Sequence, residues 1–208
     1  MCGRYTLIAD LGDLVQRFEF DGSDFSYDPG YNIAPTESVL TVRNVEGREA
    51  VFMKWGLIPF WAKDPKIGTR MINARAETVA TKPSFRNALK KRRCLVLADG
   101  YYEWQRIPTG KRPYRIILKS GEPFAFAGLW ETWKDTQGNI VPSCTIITTA
   151  ANEYLAPIHN RMPVILTREM EETWLAPSIE ETSDLAHLLI PSPDDALDAY
   201  EVSTLVNY

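Results

Sequence analysis

Hydrophobic residues recur along this chain with two different periods, and the alternation between them outlines its elements. Leu11, Leu14, Val15 and Phe18 fall at helical spacing and predict a short amphipathic helix over 10–20. The stretch 21–36, rich in Asp, Gly, Ser and Pro, reads as loop. Extended runs at 38–43 and 49–55, separated by Glu46-Gly47, predict a hairpin. Gly56 to Arg70, GLIPFWAKDPKIGTR, reads as a long irregular loop of the kind that carries function. Ser84, following Lys82-Pro83, is a candidate N-cap for a basic helix running to about Lys91. Strands dominate afterwards, at 93–98, 101–106, 113–118, 124–130, 143–149 and 162–166. Thr167 opens a helix over 168–175, Thr182 or Ser183 opens another over 182–189, and a last strand falls near 199–203. No repeat period and no linker-like stretch divides the chain. Many strands and few helices in mixed order predict one α+β domain over 1–208, built on a curved, mostly antiparallel, barrel-like sheet with a few flanking helices.

With 208 residues and 45% hydrophobic composition the chain can bury a full core. It has no apolar run of about 18 residues to span a bilayer, and MCGRYTLIAD lacks the basic and apolar regions of a secretion signal. The expectation is a cytoplasmic protein without membrane contact. Cys2, Cys94 and Cys144 show no CxxC spacing and the sequence has two histidines, so neither a disulfide framework nor a metal site is expected. The net charge of −4 hides an asymmetry: Lys63 to Arg93 holds ten basic and two acidic residues, whereas Glu169 to Tyr208 holds ten acidic residues and neither Lys nor Arg. A basic face on an acidic protein is one reading, and a solvated helix plus an acidic tail is the other.

The second residue changes the picture most. Removal of Met1 would leave Cys2 carrying an α-amine and a thiol on one carbon. With reference pKa values of about 7.7–8.0 and about 8.5, both groups would have reactive fractions near neutrality. An amine condenses with an aldehyde to a Schiff base, and the neighbouring thiol can close a five-membered thiazolidine ring; the alternative is a terminal cysteine without a role. His159, in APIHNRMPVIL, suits proton transfer at neutral pH or a structural post. Glu103, among Tyr101, Tyr102 and Trp104, is either a carboxyl with a pKa raised by apolar surroundings or an outward-facing strand residue. Asn73 can orient a sugar hydroxyl and Arg75 can clamp a phosphate, or both can serve the loop. Trp55 and Trp61, interleaved with prolines, can stack on unpaired bases or pack in the core.

Four blocks, MCGRYTL, MINARAET, RCLVLADGYYEW and HNRMPVIL, with YNIAPTE and WGLIPFWAKD between them, resemble the SRAP family, the SOS-response-associated peptidases also called abasic-site processing proteins. The resemblance covers nearly the whole chain, though Leu97 stands where a proline is expected. It implies that Cys2 reacts with the open-chain aldehyde of an abasic site in single-stranded DNA to form a stable thiazolidine. By the same resemblance Asn73 positions the opened sugar, Glu103 assists Schiff-base chemistry and His159 shuttles protons. Arg4, Trp61, Arg75 and Arg161 hold or stack on the DNA, with Trp55, Arg86 and Thr149 as weaker assignments. No cofactor is implied, and the chain is expected to act as a monomer, on the nucleoid in a bacterium. Two rivals stay open: a thiol autopeptidase that removes its own first residue, and a single-stranded DNA-binding module without chemistry.

Overall fold

A computed structural model describes residues 2–23 and 25–207. Met1, whose removal the chemistry above requires, lies outside the described residues. Among the described residues thirteen strands fall into two sheets. In chain order they are β1 Tyr5–Leu7, β2 Gly30–Ile33, β3 Ser38–Asn44, β4 Arg48–Trp55, β5 Asn73–Arg75, β6 Arg93–Ala98, β7 Gly100–Ile107, β8 Gly110–Leu118, β9 Phe124–Lys134, β10 Ile140–Ala150, β11 Arg161–Pro163, β12 Ile165–Leu166 and β13 Leu197–Glu201. The α-helices are α1 Leu11–Phe18, α2 Arg86–Lys91 and α3 Arg168–Leu175, and three 3-10 helices cover Pro65–Arg70, Thr182–Leu188 and Thr204–Asn207.

Strands β4, β3, β6, β9 and β10 pair in a closed ring, because β10 bonds to β9 on one side and to β4 on the other. Closure removes the exposed edges that a flat sheet would present. The sequence shows why these strands go inside: RCLVLA in β6 is buried at all six positions, as expected of a strand covered on both faces. The pairing is antiparallel except where β10 runs parallel to β4 and to β5. The second sheet, ordered β13-β8-β7-β1-β2, lays β1 and β7 against the ring. Tyr5 of β1 meets Trp55 and Phe126 edge-on at ring-centre distances of 5.3 and 5.8 Å, and Tyr101 of β7 meets Phe126 at 6.0 Å.

The α+β reading and the hairpin hold, and several boundaries move. α1 buries Leu14 and Phe18 as predicted and stops at Glu19, which adopts the left-handed conformation with φ 57°. Thr167 does cap α3, its hydroxyl accepting from Met170 N–H. Ser84 does not cap α2, which begins at Arg86. The chain enters that helix already turning, through Thr81 N–H and Lys82 N–H to Thr78 O and Phe85 N–H to Lys82 O, so no side-chain cap is required. The segment over 182–189 is a 3-10 helix, the strand at 162–166 is broken at Val164, and the last strand lies at Leu197–Glu201. The loop over 21–36 contains β2, and the loop from Gly56 to Arg70 ends in a 3-10 helix over Pro65–Arg70. That loop is pinned at its root, since a Cβ on Gly56, whose φ is +131°, would stand 2.6 Å from Gly68 O.

Candidate active site

Cys2 precedes β1 and sinks beneath the second sheet, with 0% of its surface exposed. Burial pushes its thiol well above the ordinary cysteine value and the nearby Glu103 carboxylate pushes it further, while the Arg4 backbone N–H works against both. The shift disfavours the thiolate, so this thiol depends on a neighbouring base more than an exposed cysteine would. Tyr5 and Tyr101 are driven well above the usual phenol range, chiefly by burial, and the Cys2 sulfur is one of the charges acting on each. Their hydroxyls are buried without a hydrogen-bond partner among the described residues, an unusual pair in a packed interior.

Glu103 sits in β7, two residues after Tyr101 and so on the same face of the strand. The register Tyr5↔Tyr101 places it beside the segment that leads back from β1 to Cys2, and Tyr102 N–H donates to Arg4 O at 2.9 Å. It is 4% exposed, which decides between the two readings of this carboxylate in favour of the inward one. Burial raises its pKa, and the charge of His159 pulls it partly back. His159 therefore lies within electrostatic reach of Glu103. Its Nδ1 lies 3.0 Å from the Arg161 backbone nitrogen, whose N–H points at it. The same Nδ1 lies 3.1 Å from Arg161 O, so the Arg161 backbone fixes the ring whichever nitrogen carries the proton.

Asn73, Arg75, Thr149 and Arg161 converge on the C-terminal half of β10. Its parallel neighbour β5 pairs Asn73 with Ile146 and Arg75 with Thr148, and antiparallel β11 pairs Met162 with Thr149 and Arg161 with Ala150. Asn73 Nδ2 donates to Ile72 O at 3.0 Å, while its Oδ1 is buried with no partner among the described residues. Arg75 is exposed and Thr149 is buried. Arg161 already holds Glu77, with its second amino group 3.0 Å from Glu77 Oε2, and Thr148 O at 2.6 Å. Arg4 donates to Asn32 Oδ1 at 3.0 Å. Arg86 stands exposed at the start of α2, which packs on β9 and β6 rather than on β1, β5 or β10.

The two tryptophans separate. Trp55 has 0% exposure and donates its indole N–H to Ile72 O at 2.9 Å, so it cannot stack on a base; it braces the residue before Asn73. Trp61 is 49% exposed and lines a hollow of about 540 Å³ with Lys63, Lys66 and Arg70. Phe60, 59% exposed beside it, is an aromatic that the reading of the sequence did not single out, although the FW pair was visible. The basic count from Lys63 to Arg93 overstates the available charge. Arg93 is buried and donates to the carbonyls of Leu89, Lys90, Trp174 and Ala176, Arg92 pairs with Glu131, and Lys91 pairs with Glu180. The acidic tail is likewise engaged within the chain, through Glu171 with Arg17, Glu172 with Arg48 and Glu201 with Arg112.

Comparison with known proteins bears on this arrangement. The family described as SOS response associated peptidase (SRAP) matches over residues 1–208. The chain is 49% identical over 211 residues to the Abasic site processing protein YoqW of Bacillus subtilis, covering 100% of this chain and 94% of that one. It is 34% identical to the Abasic site processing protein HMCES of Gallus gallus, covering 87% of this chain and 63% of that protein. A crystal structure from Bacteroides thetaiotaomicron superposes with a TM-score of 0.91 at 32% identity, covering 98% of this chain and 93% of that one.

Proposed function

Since the chain belongs to the SOS response associated peptidase (SRAP) family, we propose that it processes abasic sites in single-stranded DNA, capturing them covalently through Cys2 once Met1 has been removed. The observation that carries this reading is a cysteine at position 2 buried against an equally buried carboxyl, Glu103, which lies within the field of His159. The α-amine adds to the sugar aldehyde carbon, and loss of one water gives the Schiff base. The sulfur then bonds to the same carbon, its proton passes to the nitrogen, and the thiazolidine closes. One water is released overall and no electrons change hands.

Each group has work suited to its surroundings. Because burial disfavours the thiolate, ring closure is helped by a base at the moment of attack, and Glu103 is the carboxylate whose field acts on that sulfur. Its raised pKa lets the same group give a proton to the departing hydroxyl. The imidazole of His159 is the proton shuttle for the opening of the sugar ring. The buried Oδ1 of Asn73 is an acceptor for a sugar hydroxyl. Exposed Arg75 and the aromatic pair Phe60 and Trp61 suit backbone and base stacking, with no base to read at the lesion.

The test is a denaturing gel of protein checked by mass spectrometry for Met1 removal, after incubation with a single-stranded oligonucleotide bearing one abasic site. The expected result is a shifted band that survives denaturation and requires Cys2; its absence from correctly processed protein removes the proposal. A second activity, cleavage of the Met1–Cys2 peptide by the same pocket, is favoured by the location of Glu103 beside Cys2 and of His159 within the field of Glu103. It predicts that Glu103→Gln protein retains Met1 when the host methionine aminopeptidase is inhibited, whereas the parent chain loses it.

A further inference from the structure

Beside Cys2, donors from Asn32 and Trp104 join Arg4, which the family resemblance already puts on the DNA, and the chain's own tail fills all three. Arg4 Nη1 and Asn32 Nδ2 both donate to Val206 O, at 3.5 and 3.2 Å, and the indole N–H of Trp104 donates to Asn207 Oδ1 at 2.8 Å. The donors come from three places, the segment before β1, β2 and β7, yet they meet two consecutive residues of the 3-10 helix Thr204–Asn207. Next to them Gly3, Arg4, Trp104, Lys111 and Asn207 line a hollow of about 400 Å³, and among the described residues its lining has two cations and no carboxylate side chain. Two tail oxygens thus accept from an arginine, an amide and an indole beside a cationic hollow, a donor set suited to the oxygens of a phosphate. No residue of Thr204–Asn207 is buried, and Leu205 is 75% exposed.

We propose that Arg4, Asn32 and Trp104 form a phosphate subsite for the DNA strand next to the captured sugar, and that residues 204–207 occupy it as a displaceable strap. The proposal rests on the reading of single-stranded DNA as substrate. Binding then requires an exchange, in which phosphate oxygens take over the donors held by Val206 O and Asn207 Oδ1. The strap lowers apparent affinity by the fraction of time it is closed, so a strap closed nine-tenths of the time costs about tenfold.

The experiment measures affinity for an oligonucleotide carrying a reduced, unreactive abasic site, for the parent chain, for Asn207→Ala and for a chain ending at Ser203, with thermal melts to verify folding. The shortened chain is expected to bind about tenfold more tightly, with Asn207→Ala in between. Within the shortened chain, Asn32→Ala and Trp104→Phe should each weaken binding by about two- to tenfold, the worth of one hydrogen bond. Good binding that neither shortening nor Asn207→Ala improves overturns the strap, and substitutions without effect in the shortened chain overturn the subsite. If the parent chain does not bind this DNA at all, the functional reading fails, and the subsite with it.

Discussion

The pocket around Cys2 and the rim around Trp61 are built on opposite principles. In the pocket Cys2, Tyr5, Tyr101 and Glu103 are withdrawn from water, their proton affinities are displaced by burial, and buried hydroxyls stand unmatched. On the rim Phe60, Trp61, Lys63, Lys66 and Arg70 lie in solvent on a loop fastened at the Gly56–Gly68 contact. Electrostatic effects are strong and specific where the local dielectric is low, and weak, additive and salt-screened where it is high. The pocket is therefore the region for bond chemistry and the rim for holding a strand. A change in the pocket should alter rates by orders of magnitude, and one on the rim should alter affinity by small factors.

The sharpest way to break this division is at the nucleophile. Cys2→Ala should abolish the denaturation-resistant band while leaving binding to an unreactive abasic oligonucleotide within about threefold, as expected when only one buried apolar-sized group is trimmed. Cys2→Ser keeps the amine, and some strand scission should survive with little stable adduct; an adduct as durable as the parent's would contradict the ring. Glu103→Gln comes next, with capture slowed by about 10²–10⁴-fold, the usual worth of a positioned acid or base. The pocket also predicts the stability of that variant. Because the folded state raises the Glu103 pKa, the stability linked to this group is complete below the ordinary carboxyl range. It falls as pH climbs to the raised folded value and stays lost above it. Glu103→Gln should thus melt higher than the parent near neutrality, and the gap should close toward about pH 4.

Trp55 and Trp61 test the comparison with one residue type. Trp55→Ala should cost about 3–5 kcal/mol of stability in denaturant titrations, since it empties a fully buried site and removes the indole bond to Ile72 O. Trp61→Ala should leave the melting temperature nearly unchanged and weaken DNA binding, by about 1 kcal/mol or more if a base stacks on it. A reversed pattern would exchange their assigned places.

Much of this was legible from residue order, and the gaps have physical causes. The hairpin, α1, the Thr167 cap and the strand-rich middle follow from local periodicity and local hydrogen bonding, which the sequence carries directly. β1, β2 and β5 were not read as strands because each is three or four residues long and exists through its partners; β5, for instance, forms only by lying parallel to β10. Cys2, Glu103 and His159 could be named from chemistry and family resemblance, but their electrostatic coupling depends on β1 pairing with β7 and on where the turn after β10 ends. Trp55 was misread because an indole among prolines looks the same in sequence whether it faces water or the core. Leu97, at the expected proline position, is fully buried opposite Ala125, in a ladder that keeps its backbone N–H.

The smallest effect tests how charge is read along the chain. Lys90 to Arg93 is the densest basic run in the sequence, yet Lys91, Arg92 and Arg93 hold Glu180, Glu131 and the carbonyls around α3, whereas Lys63, Lys66 and Arg70 face solvent beside Trp61. A cation that meets a phosphate releases counterions, so removing it flattens the salt dependence of binding by about one charge; a cation paired within the protein leaves that slope alone. Arg75→Ala should therefore weaken DNA binding and reduce the slope of log affinity against log salt by about 1. Lys91→Ala should change neither, and should cost less than about 1 kcal/mol because its pair with Glu180 is solvent-exposed. Equal loss of slope in the two variants would mean that the strand crosses the α2 face as well, and the rim would then have to be extended from Trp61 to Lys91.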